Sequence, residues 1–122
     1  MFKDTSTFSG FSVDDVAAAK QFYGETLGIE VTEEGPGIVL HLAGRSNVFA
    51  YGKDDHQPAT FTILNFEVDD VDKAVDDLVA AGVSMERYDG MTDEKGVMRD
   101  HGPTIAWFKD PAGNVLSVIE TT

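Results

Sequence analysis

The chain has no cysteine among its 122 residues, which excludes disulfides, thiolate metal sites and a cysteine nucleophile. Cations are scarce as well: 9 Lys and Arg stand against 22 Asp and Glu, for a formal net charge of -13. A surface of that sign repels the phosphates of nucleic acid and of anionic membranes, so neither is expected as a partner. No apolar run approaches the roughly 18 residues of a membrane span. Met1-Phe2-Lys3-Asp4-Thr5-Ser6 lacks the apolar centre of a signal peptide, and a cytoplasmic location is expected. Neither a G-x-x-x-x-G-K-[ST] phosphate loop nor a G-x-S-x-G nucleophile elbow occurs. What the chain does have is 42% apolar residues at single-domain length, enough for a buried core.

It also says nearly the same thing twice. Phe11-Ser12-Val13-Asp14-Asp15-Val16 recurs as Phe66-Glu67-Val68-Asp69-Asp70-Val71, and downstream Ala19 matches Ala74, Tyr23 matches Leu78 and Gly28-Ile29 matches Gly82-Val83. The offset is 55 positions at Val13 and Val68 and slips to 54 at the two glycines. A repeat of this length occurring only twice implies one domain of two related halves, about 6–52 and 61–121, joined by a connector at about 53–60.

Each half reads as βαβββ. In the first, residues 6–13 alternate as a half-buried strand, with Ser9, Phe11 and Val13 on one face and Phe8, Gly10 and Ser12 on the other. Asp14 or Asp15 is placed to cap a helix whose apolar stripe is Val16, Ala19, Phe22, Tyr23 and Leu27, and Gly28 ends it. In the second half Leu64, Phe66 and Val68 alternate with Ile63, Asn65 and Glu67, followed by the helical spacing of Val71, Ala74, Val75 and Leu78. Short apolar runs then predict strands at Ile29–Val31, Ile38–Leu42 and Asn47–Tyr51, and again at Val83–Arg87, Thr104–Phe108 and Val115–Ile119. Asp110-Pro111-Ala112-Gly113 fits a type I turn, making the last two strands a hairpin. The polar stretch Asp89–Pro103 reads as a long loop, either a lid or simply mobile.

The doubled βαβββ pattern, the Val-Asp-Asp-Val junctions, Phe22-Tyr23 with Leu27-Gly28, and Trp107-Phe108-Lys109-Asp110-Pro111-Ala112-Gly113-Asn114 together resemble the vicinal oxygen chelate superfamily. That group holds glyoxalase I, the bleomycin-resistance proteins and the extradiol dioxygenases. The resemblance implies an α+β fold of curved mixed sheets around a cleft, a homodimer, and, in the enzymes, four inward-facing metal ligands. Carried onto this chain, those four positions fall at Phe8, near Ala50 (with Phe49 or Tyr51 as neighbours), at Ile63 and at Ser117. Phenyl, methyl and sec-butyl groups offer a divalent ion no donor. No metal and no other cofactor is therefore expected, and the metal-dependent chemistries of the family are disfavoured.

What remains is a small-molecule site with an aromatic wall. The residues expected to bind ligand are Phe8, His41, Tyr51, Ile63, Asn65, Trp107 and Ser117, with Phe49 and Met85 extending the lining. Asn65 is either a ligand partner or a cross-strand structural bond, and Trp107 faces the cleft if Phe108 is core. His56 reads as a solvated connector residue, His101 as a loop residue, Glu120 as a frayed surface group, and Lys95 and Arg99 as solubilising charges. The expected function is metal-independent binding of a largely apolar or aromatic molecule. A lyase or isomerase with a non-standard site around His41, Asn65 or His101 is the alternative, and no catalytic residue is assigned.

Overall fold

In the computed structural model of the protein, each Val-Asp-Asp-Val segment separates a strand from a helix. Strand β1 (Ser9–Val13) leads to α1 (Val16–Gln21), and β5 (Thr62–Glu67) leads to α2 (Val71–Ala80). The second aspartate of each pair is the cap. Asp15 accepts from the Ala18 amide at 3.1 Å and Asp70 from the Lys73 amide at 3.1 Å, both from extended backbone. Each such bond satisfies an amide that the helix cannot, a contribution of about 1 kcal/mol. The start of α2 has a second acceptor that the sequence reading missed: Glu120 takes the Val71 amide at 2.8 Å, so it is not a frayed surface group.

The structure describes residues 1–45 and 47–121, which divide into two units, Met1–Gln57 and Pro58–Thr122. Both helices end on a left-handed glycine, Gly28 at φ 71° and Gly82 at φ 94°. They differ by one residue just before it. In the first unit α1 runs into a π-helical stretch, Phe22–Thr26, where the Leu27 amide reaches back to Phe22 and the Ile29 amide to Tyr23. In the second unit the Val83 amide reaches Leu78, the repeat counterpart of Tyr23, with one residue fewer between. A widened turn absorbs an extra residue without breaking the helix. It explains why the repeat offset slips from 55 to 54 at the glycines.

The first unit continues with β2 (Glu30–Glu34), β3 (Gly37–His41) and β4 (Asn47–Gly52), giving the sheet order β1-β4-β3-β2. Strands β1 and β4 are parallel and the other pairs antiparallel. One sheet face carries Val13, Ile38, Leu40, Val48 and Ala50 and packs on Ala19 and Tyr23, all of them buried. Tyr23 is fully buried, its ring 5.9 Å from Phe11 and 5.2 Å from Phe22. Two expectations change here. The first strand starts at Ser9 and not at residue 6, and Ala50 belongs to this core beneath α1, so the residues of β4 on the opposite face are Phe49 and Tyr51.

The second unit repeats the order, β5-β8-β7-β6, with β6 at Val97–Met98, β7 at Ile105–Lys109 and β8 at Val115–Ile119. Here the expected strand Val83–Arg87 is not formed. That segment makes one bridge, Met85 opposite Phe108, in which the Glu86 amide donates to the Trp107 carbonyl at 2.9 Å. The rest of the β7 edge is taken by β6, from inside the stretch expected to be a loop, with Val97 opposite Ala106 and Met98 opposite Ile105. Five residues of β7 cannot pair twice over, so the two segments share its edge. Phe108, Leu116, Val118 and Ala106 fill the core with Val71 and Val75 of α2. Within β5 the register shifts between Thr62 and Leu64, leaving Ile63 as the bulged residue.

The β7–β8 hairpin closes as expected. The Gly113 amide donates to the Asp110 carbonyl at 3.0 Å, and Gly113 has φ 86°, which favours glycine. Asp110, 4% exposed, also accepts from the Ala112 and Asn114 amides at 3.0 and 2.9 Å and from the Asn114 side chain at 3.1 Å. Asn114 passes the anchoring on by accepting from the Ala59 amide at 3.2 Å.

Candidate functional site

In the first unit the sheet face opposite α1 carries Gly10 and Ser12 from β1, Phe49 and Tyr51 from β4, Val39 and His41 from β3, and Thr32 and Glu34 from β2. Alternation along each strand puts them there: in β3 and β4 their neighbours in sequence are the buried residues Ile38, Leu40, Val48 and Ala50 that face α1. On this face Phe8, Pro36, Val39 and Phe49, with Glu34, His41 and Asn47, line a concavity of about 560 Å³. Phe8 is 73% exposed, a large apolar group held in water beside the concavity. Phe49 and Tyr51 stack at 6.0 Å between ring centroids with 24° between planes. His41 is oriented by a 2.9 Å hydrogen bond between its Nε2 and Thr32 Oγ1. Three of the expected residues, Phe8, His41 and Tyr51, therefore share one face, and the first two line one concavity.

The second sheet shows the corresponding face. Asn65, Ser117 and Trp107 are register partners across β5, β8 and β7 and form one row. Ser117 is fully buried and donates to Asn65 Oδ1 at 2.6 Å, so the cross-strand structural bond considered for Asn65 is present. Phe108 is core, and Trp107 lies on the other face, half-buried. Its single donor, Nε1–H, goes to Thr62 Oγ1 at 3.2 Å, and Tyr88 meets the ring edge-on at 5.6 Å. The bulge at Ile63 puts Thr62 opposite Val115, on the same face as Trp107, which is how that bond forms.

Lys95 and Arg99 are not loose solubilising charges. Arg99 holds Asp72 of α2 with two hydrogen bonds of 2.9 and 2.8 Å and Asp93 with one of 3.0 Å. Lys95 pairs with Asp72 at 3.0 Å and Asp76 at 3.2 Å. The Arg99 guanidinium, then the Lys95 ammonium, hold the Asp72 carboxyl well below its ordinary range. Asp93 is lowered as well, first by the Val97 amide and then by Arg99. Together with β6, these contacts fasten much of the stretch expected to be a loop.

One pair escaped the sequence reading altogether. Ser12 Oγ and His56 Nδ1 lie 2.6 Å apart, 44 residues apart in sequence, so His56 is half-buried against β1 instead of being a solvated connector residue. No local spacing announces such a contact.

At the positions that the resemblance assigns to the family's metal, the chain offers a phenyl group at Phe8, the rings of Phe49 and Tyr51 on either side of core Ala50, a sec-butyl group at Ile63 and, at Ser117, a hydroxyl bonded to Asn65. That is no donor set for a divalent ion. Among the described residues, no group of three or more His, Asp or Glu side chains is arranged to hold one, and no helix is long and apolar enough to cross a membrane.

Comparison with solved structures supports the fold. A glyoxalase family protein from Enterococcus faecalis superposes with TM-score 0.71 at 23% identity, covering 98% of this chain and 100% of that one. A lactoylglutathione lyase from Agrobacterium tumefaciens gives TM-score 0.68 at 22% identity, covering 97% and 95%. The antibiotic-binding protein TnmS3 from a Streptomyces species gives 0.66 at 26% identity, covering 98% of each. No curated protein sequence matches this one. The family model for the Glyoxalase/Bleomycin resistance protein/Dioxygenase superfamily matches residues 8–118, and the chain belongs to that superfamily.

Proposed function

We propose that the protein binds a small, largely apolar or aromatic molecule on the open face of its first sheet, in the cytoplasm and without a metal ion. The observation that carries this reading is the concavity of about 560 Å³ whose walls are Phe8, Val39 and Phe49, with His41, Glu34 and Asn47 as sparse polar groups. That volume and that mixture suit a drug-sized ligand, apolar surface supplying affinity and a few polar atoms fixing orientation. The stacked Phe49 and Tyr51 rings give a planar ligand a surface to lie against. The similarity to an antibiotic-binding protein agrees with this reading. Membership of the superfamily favours a homodimer, and sedimentation as a monomer at micromolar concentration would remove that part.

Equilibrium dialysis against a panel of planar aromatic antibiotics tests the binding. At least one compound is expected to bind, and Phe49→Ala to weaken it about 10-fold or more, since burying a phenyl group contributes about 1.5–3 kcal/mol. Binding indifferent to Phe49→Ala and Phe8→Ala, or no binding at all, would remove the site.

A further inference from the structure

We propose that Ser12 and His56 form a nucleophile–base pair that accepts an acyl group from activated aryl esters. A serine hydroxyl is a poor nucleophile until a base takes its proton, and the pairing that achieves this is a ring nitrogen within hydrogen-bond reach of Oγ. Here Nδ1 of His56 is 2.6 Å from Ser12 Oγ, short for a neutral pair. The chain builds this contact in two steps. The Lys53 amide continues the β1–β4 ladder by donating to the Val13 carbonyl, and a turn closed by the His56 amide to the Lys53 carbonyl folds the connector back.

The surroundings suit an aryl ester. Ser12 lies on the open sheet face with Tyr51 as its register partner, and two residues along β1 the same face carries Gly10, opposite Phe49. A Cβ at Gly10 would come within 3.2 Å of the Phe49 backbone carbonyl and 3.8 Å of the Tyr51 ring, so glycine keeps the strand surface low beside the Tyr51 ring. A flat acyl or aryl group laid across Gly10 brings its carbonyl carbon towards Ser12. The site shares the open face with the binding reading but requires neither the concavity at Phe8 nor any ligand held there.

In the first step the Oγ–C bond forms as the Oγ–H proton passes to Nδ1. The carbonyl then re-forms, the bond to the aryloxide breaks, and the imidazolium returns its proton to that oxygen or to solvent. Water hydrolyses the acyl-serine by the same route, Nδ1 taking its proton and returning it to Ser12 Oγ, and the carboxylic acid leaves. No oxidant, reductant or cofactor enters the balance.

The test is incubation of the full chain with 4-nitrophenyl acetate, followed by peptide mass mapping and release of 4-nitrophenolate. Acetyl on Ser12 is expected, absent in Ser12→Ala, and slowed about 100-fold in His56→Gln, the usual lower range for loss of a positioned base. Circular dichroism and the melting curve of each variant separate this from unfolding. Acetylation confined to lysines, tyrosines or the amino terminus in the parent protein would overturn the proposal without reference to any variant. So would labelling of Ser12 at an equal rate in His56→Gln. Dialysis with the aromatic panel reads the binding site independently, so either reading can fail while the other stands.

Discussion

Replacing Asp110 by alanine should destabilise the second unit far more than its place in a surface-facing turn suggests. The carboxylate accepts two backbone amides, Ala112 and Asn114, and the Asn114 side chain, all within 3.1 Å and nearly out of contact with water. Alanine removes the acceptor and leaves the donors. An orphaned buried donor costs about 1–3 kcal/mol, and partial access of water past the exposed Pro111 puts the sum near the low end, at about 3 kcal/mol. Domains of this size have about 5–15 kcal/mol of stability in total, so the loss is a large fraction. Asp110→Asn keeps one oxygen for the two amides but turns an amide group towards the Asn114 amide, and should cost about 1 kcal/mol. Urea unfolding followed by tryptophan fluorescence reads both, because Trp107 sits on the same hairpin. With a slope near 2 kcal/mol/M, the alanine midpoint should fall by roughly 1.5 M and the asparagine midpoint by roughly 0.5 M. An alanine midpoint within roughly 0.3 M of the parent would refute the reasoning, since the turn amides would then have other acceptors.

Leu116→Ala, in the fully buried centre of the second core, should cost about 2–5 kcal/mol in the same assay. Gly96→Ala should release β6, because Gly96 has φ 86° and a Cβ there would lie 2.6 Å from the Glu86 carbonyl oxygen; hydrogen exchange at Val97 and Met98 is the readout. Arg99→Ala should speed exchange across residues 93–98 several-fold, and added salt should do the same to the parent protein. Asp72 and Asp93 have folded values below their unfolded ones, so their contribution is complete above the ordinary carboxylate value of about 3.9 and is lost as pH falls through the lowered values. Stability should therefore drop below about pH 4, and Asp72→Asn should flatten that drop.

The parts of the fold that were legible in the sequence are those encoded within a few residues. Asp15 and Asp70 cap because a short carboxylate can reach an amide three positions on, and Gly28 and Gly82 end helices because glycine alone enters the left-handed region at no cost. The apolar alternation around Val13 and, from Leu64 onward, around Phe66 gave the correct faces for the same reason, while the bulge takes Ile63 out of the alternation. What failed depends on competition between segments far apart in the chain. Val83–Arg87 has the composition of a strand, yet it shares the β7 edge with Val97–Met98, and only the assembled sheet decides which pairs. The resemblance located its second ligand only to within one residue of Ala50, and along a strand that margin separates core Ala50 from Phe49 and Tyr51 on the open face. His41 and Tyr51 could be placed on the open face because each follows a buried neighbour, Leu40 or Ala50, in its strand. The Ser12–His56 contact and the Glu120 acceptor were not legible, since each joins residues more than 40 positions apart.

The claim at the centre of this account is a small-molecule site that works without a metal ion, and metal analysis joined to calorimetry tests it most directly. Protein purified without chelator should carry no stoichiometric nickel, zinc, iron or manganese. Its affinity for an aromatic ligand should be the same with chelator and with each ion added, while Phe49→Ala weakens it about 10-fold or more. One equivalent of bound metal whose removal abolishes ligand binding would contradict the account.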